Sequence, residues 1–168
     1  MTTHAAIEQT IPSLRRFARA LLGTAQDADD LVHDALVDAL ARPRLGMADQ
    51  QVRPWLFAIL RNRFLSDRRR AKHRATTPLD DSGGPAAAVR PGQEAGLQMR
   101  DLTIGLAGLP VEQREILLLV TVEGFTYAEV AAMLDLPLGT VMSRLSRARD
   151  RLNDFMDGTA RPRLRSVS

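Results

Sequence analysis

The chain has 168 residues and a net charge of +3, and 45% of its residues are hydrophobic, 26% are charged and 4% are aromatic. This composition is typical of a folded protein and excludes an intrinsically disordered chain. Because cysteine is absent, disulfides and thiolate metal sites are excluded as well.

Two amphipathic helices are predicted at the N-terminus. Apolar residues recur at helical spacing from about Ala5 to Leu22. Pro12 lies inside this pattern, and because proline favours a first helical turn, the helix could instead start there. Thr24 and Asp27 resemble a capping box, which predicts a second helix to about Ala41. Four acids lie off the apolar face of that helix and form either a solvated face or a binding face: Asp27, Asp30, Asp34 and Asp38.

A third helix is predicted after a loop at residues 42–52, and Pro54 is expected to open it. Its first half is apolar and its second half is strongly basic. Eight bases between Arg53 and Arg74 accompany a single acid, Asp67. The helix dipole favours one or two bases at a C-terminus but not this many. The segment therefore indicates a polyanionic partner, whereas the acidic helix before it indicates a basic one.

The helical period stops between Thr76 and Gly96, where proline, glycine, alanine and small polar residues dominate. This segment is predicted to be a flexible linker. It divides the chain into a first lobe, residues 1–75, and a second lobe, residues 97–158, followed by a basic tail at 159–168. The second lobe should begin with a helix at about 97–106 and continue with another between Pro110 and Gly124.

A helix-turn-helix is predicted at the end of the second lobe. Thr126 and Glu129 fit the S/T-x-x-E capping box, so a helix should start at Tyr127. Pro137 and Gly139 interrupt the pattern soon afterwards. A second helix should follow from about residue 140.

That second helix carries two neighbouring stripes when its residues are placed at about 100° per residue. Five apolar residues fall within about 80° and should pack on the preceding helix. The adjacent stripe, about 100° wide, holds side chains that bond base edges and phosphates in the major groove. These residues are Thr140, Ser143, Arg144, Arg147 and Arg151. A solvated basic face is the simpler interpretation of such a stripe, but the capped helix and short turn before it favour a DNA reader.

No alternating pattern predicts a strand, so the predicted fold is all-α, with two small helical domains joined by a flexible linker. Three blocks in this order resemble a known family. Residues 27–40 (DADDLVHDALVDAL), 53–70 (RPWLFAILRNRFLSDRRR) and 109–152 (LPVEQREILLLVTVEGFTYAEVAAMLDLPLGTVMSRLSRARDRL) are similar to blocks of bacterial RNA polymerase sigma factors. The chain is identified as a member of the extracytoplasmic-function group, the minimal two-domain type.

The resemblance implies a protein that binds core RNA polymerase, directs it to promoter DNA and catalyses nothing itself. The acidic helix would bind the polymerase through Asp30, His33, Asp34 and Asp38. The basic helix would hold the non-template strand of the minus-ten element, and loop 42–52 would capture a flipped base. The residues implied for that strand are Arg61, Asn62, Arg68, Arg69, Arg70 and Lys72. The helix-turn-helix stripe would read the minus-thirty-five element.

The resemblance also implies an anti-sigma partner, and it leaves two alternatives open. One is a sigma mimic that titrates an anti-sigma factor, although such mimics usually lose the bases that this chain keeps. The other is a dimeric helix-turn-helix regulator, which would need a palindromic site. Two residues depart from the family pattern. His33 replaces a glutamine, and Met142 stands where Arg or Lys is common, which should alter promoter choice more than abolish binding.

Several features are expected to be absent. The three histidines are dispersed and cysteine is lacking, so no metal, cofactor or small-molecule substrate is predicted. No apolar run approaches the length of a membrane span, and the N-terminus does not resemble a signal peptide. A cytoplasmic protein without membrane insertion is therefore expected. Trp55 is interpreted as a core anchor in preference to a base-stacking residue, because it begins an apolar stripe.

Overall fold

The structure is a computed structural model that describes residues 3–42, 44, 46–74 and 93–158. These residues form helices and short connections, with no strand among them, which confirms the all-α prediction. The helices are α1 (Thr3–Leu22), α2 (Ala25–Ala41), α3 (Asp49–Arg74), α4 (Gln93–Ala107), α5 (Val111–Thr121), α6 (Tyr127–Leu134) and α7 (Leu138–Met156). The predicted linker at 76–96 lies outside the described residues except for 93–96, which belong to α4. The basic tail at 159–168 lies outside them as well.

The N-lobe, defined here as α1–α3, packs three helices around an aliphatic and aromatic core. Thr24 caps α2 as predicted, because its hydroxyl accepts from the backbone N–H of Asp27 at 3.3 Å. The prediction that Pro54 opens α3 is wrong, since the helix begins at Asp49. Val52 in the added turn is fully buried, and its burial offsets the single hydrogen bond that the proline removes. Pro12 is likewise inside α1 and does not begin it.

The C-lobe, defined here as α4–α7, ends in the predicted helix-turn-helix formed by α6 and α7. Both bonds of the capping box are present between Thr126 and Glu129. The turn is made by Asp135, which is left-handed with φ 52°, and by the extended Pro137. Gly139 was expected to interrupt the pattern, but it lies in the first turn of α7. The chain reverses before it, so α7 starts two residues earlier than predicted.

The two lobes pack directly on each other, with α1 against α5 and α3 against α6. Three buried phenylalanines form a continuous edge-to-face stack across the contact. The ring centroids of Phe17 and Phe57 are 5.4 Å apart, and those of Phe57 and Phe125 are 5.1 Å apart. The buried side chains of both lobes therefore belong to one hydrophobic cluster. This contact between the lobes was not predicted from the sequence.

Candidate nucleic-acid interface

Helix α7 presents a mixed polar and basic surface on the side away from its core contacts. Val141, Leu145 and Ala148 are buried, as the apolar stripe predicted. On the predicted DNA-reading stripe, Ser143, Arg147 and Arg151 are exposed, whereas Thr140 and Arg144 are half-buried. The structure thus leaves three of these five side chains fully available to a groove of DNA.

Arg144 differs from the rest of the stripe because it lies near α5. Burial raises the pKa of the Glu115 carboxyl on α5, and the positive charges of Arg61 and Arg144 oppose that rise. The exposed surface of α7 instead extends to the other side of Ser143. Met142 is 50% exposed there and lines a shallow groove of about 290 Å³ with Tyr127 and Ser146. This position agrees with the angular count, which placed Met142 outside the stripe, about 100° beyond Ser143.

Helix α3 exposes most of the side chains that are predicted to bind DNA. Asn62, Arg69, Arg70 and Lys72 are exposed. Arg68 is half-buried, and its guanidinium lies 5.6 Å from the centroid of a phenylalanine ring one turn before it, at position 64. Four of the six predicted side chains are therefore accessible to a polyanion.

Arg61, another member of that predicted set, faces the C-lobe instead. Its side chain is only 17% exposed, and its Nε donates to Glu115 Oε1 at 2.5 Å. The Glu115 side chain is 3% exposed. In this arrangement Arg61 is occupied by a carboxylate from the other lobe.

A groove of about 420 Å³ lies beside Asn62 at the open end of the loop between α2 and α3. Arg42 and Arg44 line it on the loop side, and Trp55 lines it on the α3 side. Trp55 is half-buried and also packs against the hydrophobic core. It is therefore a core residue with one side open to the groove. The volume of the groove is in the range of small-ligand pockets.

The acidic surface of α2 is divided between solvent and an ion-pair network. Asp30 and His33 are exposed. Asp34 and Asp38 accept from the guanidinium of Arg63 on α3, at 3.0 and 3.5 Å. The sequence had suggested a face that was either solvated or used for binding, and half of it is already paired within the N-lobe.

The contact between the lobes contains further charged groups that sequence reasoning missed. The Glu123 side chain has no exposed surface, and it accepts from Arg16 at 2.8 and 3.0 Å and from Arg53 at 2.9 Å. Its hydrogen bond raises the pKa of Arg16. Arg114 is 5% exposed and donates to the carbonyl oxygen of Leu21 at 2.8 Å, and burial lowers its pKa. For Arg114, the available signal was a charged residue inside the apolar pattern of α5.

Two features are absent from the described residues, a metal-binding cluster and a membrane-spanning helix. No group of three or more histidine, aspartate or glutamate side chains in that part of the chain could hold a metal ion. No helix over the described ranges is both long enough and apolar enough to cross a membrane.

Comparison with known proteins yields matches over both lobes. The family profile "Sigma-70, region 4" matches residues 105–152, and the profile "Sigma2 domain of PhyR" matches residues 7–61. The ECF RNA polymerase sigma factor EcfG of Rhodopseudomonas palustris is 41% identical over 150 residues, which cover 88% of this chain and 82% of the relative. The ECF sigma factor SigM of Mycobacterium tuberculosis is 38% identical over 83% of this chain and 69% of its own length.

Solved structures show the same architecture. The sigma factor RpoE of Bartonella quintana, in complex with the anti-sigma factor NepR, superposes with a TM-score of 0.74 at 34% identity. That match covers 90% of this chain and 94% of the relative. The PhyR–NepR complex of Sphingomonas sp. Fr1 matches all of this chain and 98% of the other with a TM-score of 0.69. At 23% identity, this second match establishes the fold alone.

Proposed function

The chain belongs to the extracytoplasmic-function family of RNA polymerase sigma factors, and from that premise we propose which of its surfaces bind the polymerase and each promoter element. As a sigma factor it binds core RNA polymerase and directs promoter-specific transcription initiation. Sigma factors of this family are regulators, and we propose that this chain likewise catalyses no reaction and acts in the cytoplasm, where the polymerase is. The observation that carries the proposal is the open polar and basic surface of α7 in the same fold as the basic helix α3.

The minus-thirty-five element is assigned to the exposed surface of α7. Arg147 and Arg151 supply charge-assisted bonds to phosphates or guanine, and Ser143 reaches a base edge from the same side. Arg144 reads DNA only after it leaves the vicinity of Glu115. Thr140, in the first turn of α7, would donate its hydroxyl to a phosphate.

The minus-ten element is assigned to the basic half of α3 and to the groove beside Trp55. Arg69, Arg70 and Lys72 would hold the backbone of the single strand, and Asn62 would bond a base. Taking a nucleobase out of the duplex costs a few kcal/mol of stacking free energy. An aromatic side chain and neighbouring basic side chains offset this cost. One groove would supply both kinds of side chain, the aromatic one from Trp55 and the basic ones from Arg42 and Arg44. Additional positive charge along the single strand would come from Arg61 and Arg68.

Core polymerase is assigned to α2. Asp30 and His33 are exposed and free to meet a basic surface, whereas Asp34 and Asp38 would have to share their carboxylates with Arg63. We therefore propose that Asp30 and His33 contact the polymerase directly. The two paired acids would add to the negative potential that attracts its basic surface.

An anti-sigma protein is proposed as the physiological inhibitor. The proposal is supported by the similarity to RpoE, whose structure contains an anti-sigma factor. The broad family of this chain is associated with stress responses, and we propose such a role here without assigning the signal.

A sigma mimic is the second candidate, because the N-lobe matches the sigma-like domain of PhyR. A mimic need only present the surface that an anti-sigma factor binds. It would not need exposed basic side chains on α3 and α7 for DNA binding. The chain keeps Arg69, Arg70, Lys72, Arg147 and Arg151 on its surface, which favours a true sigma factor.

Reconstituted transcription separates the two candidates. The purified chain is mixed with sigma-free core polymerase and host genomic DNA, and transcript starts are sequenced. Discrete starts that share two spaced upstream motifs are expected for the wild type. They should be lost in Arg147→Ala plus Arg151→Ala and retained in Arg100→Ala, a matched exposed arginine on α4. Polymerase binding without starts would indicate a mimic, and absence of both would end the sigma-factor proposal.

A further inference from the structure

A cavity of about 400 Å³ lies between α1, α4 and α5, and its lining residues differ from those assigned to polymerase and promoter DNA. Most of its wall is apolar, and all three helices contribute to it through Phe17, Ala20, Leu102, Leu106 and Leu118. Met99 and Val122 also line the cavity and are about half exposed, so it opens to solvent beside them. Its volume is in the range of sites that hold small ligands.

One wall of this cavity contains a buried cation, Arg114, which is 5% exposed. Its guanidinium donates to the backbone carbonyl oxygens of Leu21 and Ala107, both at 2.8 Å, and of Leu109 at 3.1 Å. At least two of the five N–H groups of the guanidinium therefore have no described acceptor, and one of them, on Nε, is fully buried.

The partners of Arg114 compensate its charge only in part. Leu21 and Ala107 lie at the C-terminal ends of α1 and α4, where carbonyl oxygens carry partial negative charge. None of the described hydrogen bonds of Arg114 goes to a carboxylate. A buried charge without a full counter-charge is unfavourable, and burial accordingly lowers the pKa of Arg114. A bound anion would supply the counter-charge that the described residues do not.

The other charged side chains around the cavity also favour an anion. Arg16, Arg19 and Arg114 line it together with a single acid, Glu123. The Glu123 carboxylate is already paired with Arg16 at 2.8 Å and with Arg53 at 2.9 Å. Arg19 is exposed. The cavity therefore combines a positive potential with an apolar wall.

We propose that this cavity binds a small amphiphilic carboxylate, with the carboxylate at Arg114 and the alkyl or aromatic body against the apolar wall. At about 30 Å³ for each water-sized group, a volume of about 400 Å³ holds about a dozen non-hydrogen atoms. Arginine is well suited to a carboxylate because its N–H groups form charge-assisted hydrogen bonds. The apolar body would remove the exposed surfaces of Met99 and Val122 from water. The site goes beyond the proposed function, since neither polymerase nor DNA is needed to form it.

Isothermal titration calorimetry on the full-length chain near neutral pH tests the proposal with four probes. Decanoate and 2-naphthoate place one carboxylate on an alkyl and on an aromatic body, so their relative affinities show which body the site prefers. Decylammonium has the alkyl chain of decanoate with the opposite charge, and acetate has the carboxylate without the body. We expect one-to-one binding of decanoate or 2-naphthoate, and no binding of decylammonium or acetate at the same concentration. A ligand that binds should also raise the melting temperature.

Two variants test whether the ligand occupies this cavity. Ala20→Phe fills the cavity from the α1 side and leaves Arg114 in place, so binding should be lost. Arg114→Met removes the guanidinium but keeps a long apolar side chain. It should weaken the binding of decanoate about tenfold or more, as for the loss of a charge-assisted hydrogen bond. Arg100→Met on α4 is the matched control, because Arg100 is exposed outside the cavity and its replacement changes the net charge equally.

Several results would overturn the proposal. The wild type would bind neither carboxylate, or would bind decylammonium as tightly as decanoate. Unchanged binding in Ala20→Phe would place the carboxylate elsewhere on the chain. If Arg114→Met loses its helical circular dichroism, Ala20→Phe and the comparison with decylammonium decide the question. Reconstituted transcription is measured separately, so a sigma factor without this ligand remains distinguishable from a ligand-binding chain that is no sigma factor.

Discussion

At the scale of single residues, the same type of side chain has different roles depending on what covers it. The family resemblance assigned Arg61 and Arg69 together to the minus-ten strand, but Arg69 is exposed and Arg61 pairs with Glu115 of the other lobe. Helical periodicity places a residue on a face of its own helix. It contains no information about which distant element covers that face, so the pairing of Arg61 was not predictable.

Met142 should determine promoter preference. It is half exposed beside Ser143 on α7, and an apolar side chain in the major groove contacts the methyl group of thymine. Met142→Arg should change the preferred base at one position of the minus-thirty-five element by about 1–3 kcal/mol, toward guanine. Selection from a library randomised in that element measures the change.

The control for Met142 is Met99→Arg on α4, an exposed methionine with the same change in charge. It should strengthen DNA binding slightly at every sequence and leave the base preference unaltered. An equal shift in preference from both variants would show that charge alone, and not the position of Met142, is responsible.

Glu115 should make stability depend on pH in a defined direction. Burial raises its pKa in the folded protein despite the opposing charge of Arg61. Between the ordinary pKa and the raised one, the folded protein binds more protons than the unfolded chain, so stability increases as the pH falls through that window. The melting temperature of the wild type should therefore rise relative to Glu115→Gln, which cannot titrate, when the pH is lowered from about 7 to about 5.

A difference between wild type and Glu115→Gln that stays constant over this range would contradict the raised pKa. A difference that moves in the opposite direction would mean that Arg61 stabilises the ionised carboxylate by more than burial destabilises it.

At the scale of elements, the helices were predictable wherever a local signal defined their ends. Thr24 and Thr126 act as caps as expected, because a capping bond joins residues only three apart. Pro54 and Gly139 were misjudged for a related reason. Their propensities oppose a helix, but burial of Val52 and the turn at Asp135 determine where α3 and α7 begin.

The capping box of α6 should support the whole helix-turn-helix. Thr126 accepts from Glu129 N, and the Glu129 carboxylate accepts from Thr126 N at 2.7 Å. Thr126→Ala should lower the free energy of unfolding by about 1 kcal/mol. Chemical denaturation measures this, with Thr103→Ala as the control.

Thr103 also lies in a helix of the C-lobe, but its hydroxyl donates to the carbonyl of Met99 within α4 and caps nothing. Its removal should have less effect than the removal of Thr126. Equal losses would show that the capping bonds of α6 add nothing beyond an ordinary helical hydroxyl.

At the scale of the whole molecule, the division of the chain into two lobes stays a prediction from the sequence, and the contact between the lobes was not predicted. The breaker-rich segment separates the lobes in sequence, and no local pattern connects Phe17 and Phe57 with Phe125. These rings stack only because α1, α3 and the turn before α6 meet in space. Such long-range packing follows from the complementarity of complete surfaces, which a single sequence read segment by segment does not reveal.

A shared core has a thermodynamic consequence that separate lobes would lack. Elements that bury the same side chains unfold together, so the wild type should show one calorimetric transition with equal calorimetric and van't Hoff enthalpies.

Phe57 contacts both neighbouring rings and is 2% exposed. Its replacement by alanine should cost about 3–5 kcal/mol and lower the stability of the N-lobe as well as the contact.

Glu123→Lys should act on the contact alone, because the described bonds of the Glu123 carboxylate go only to Arg16 and Arg53. We expect its single transition to split into two, one for each lobe. Asp101→Lys is the control with the same change in charge, because Asp101 is exposed on α4, and it should keep one transition. Differential scanning calorimetry distinguishes these results. A single transition in Glu123→Lys with unchanged enthalpy would mean that the aromatic stack suffices to couple the lobes without the ion pairs.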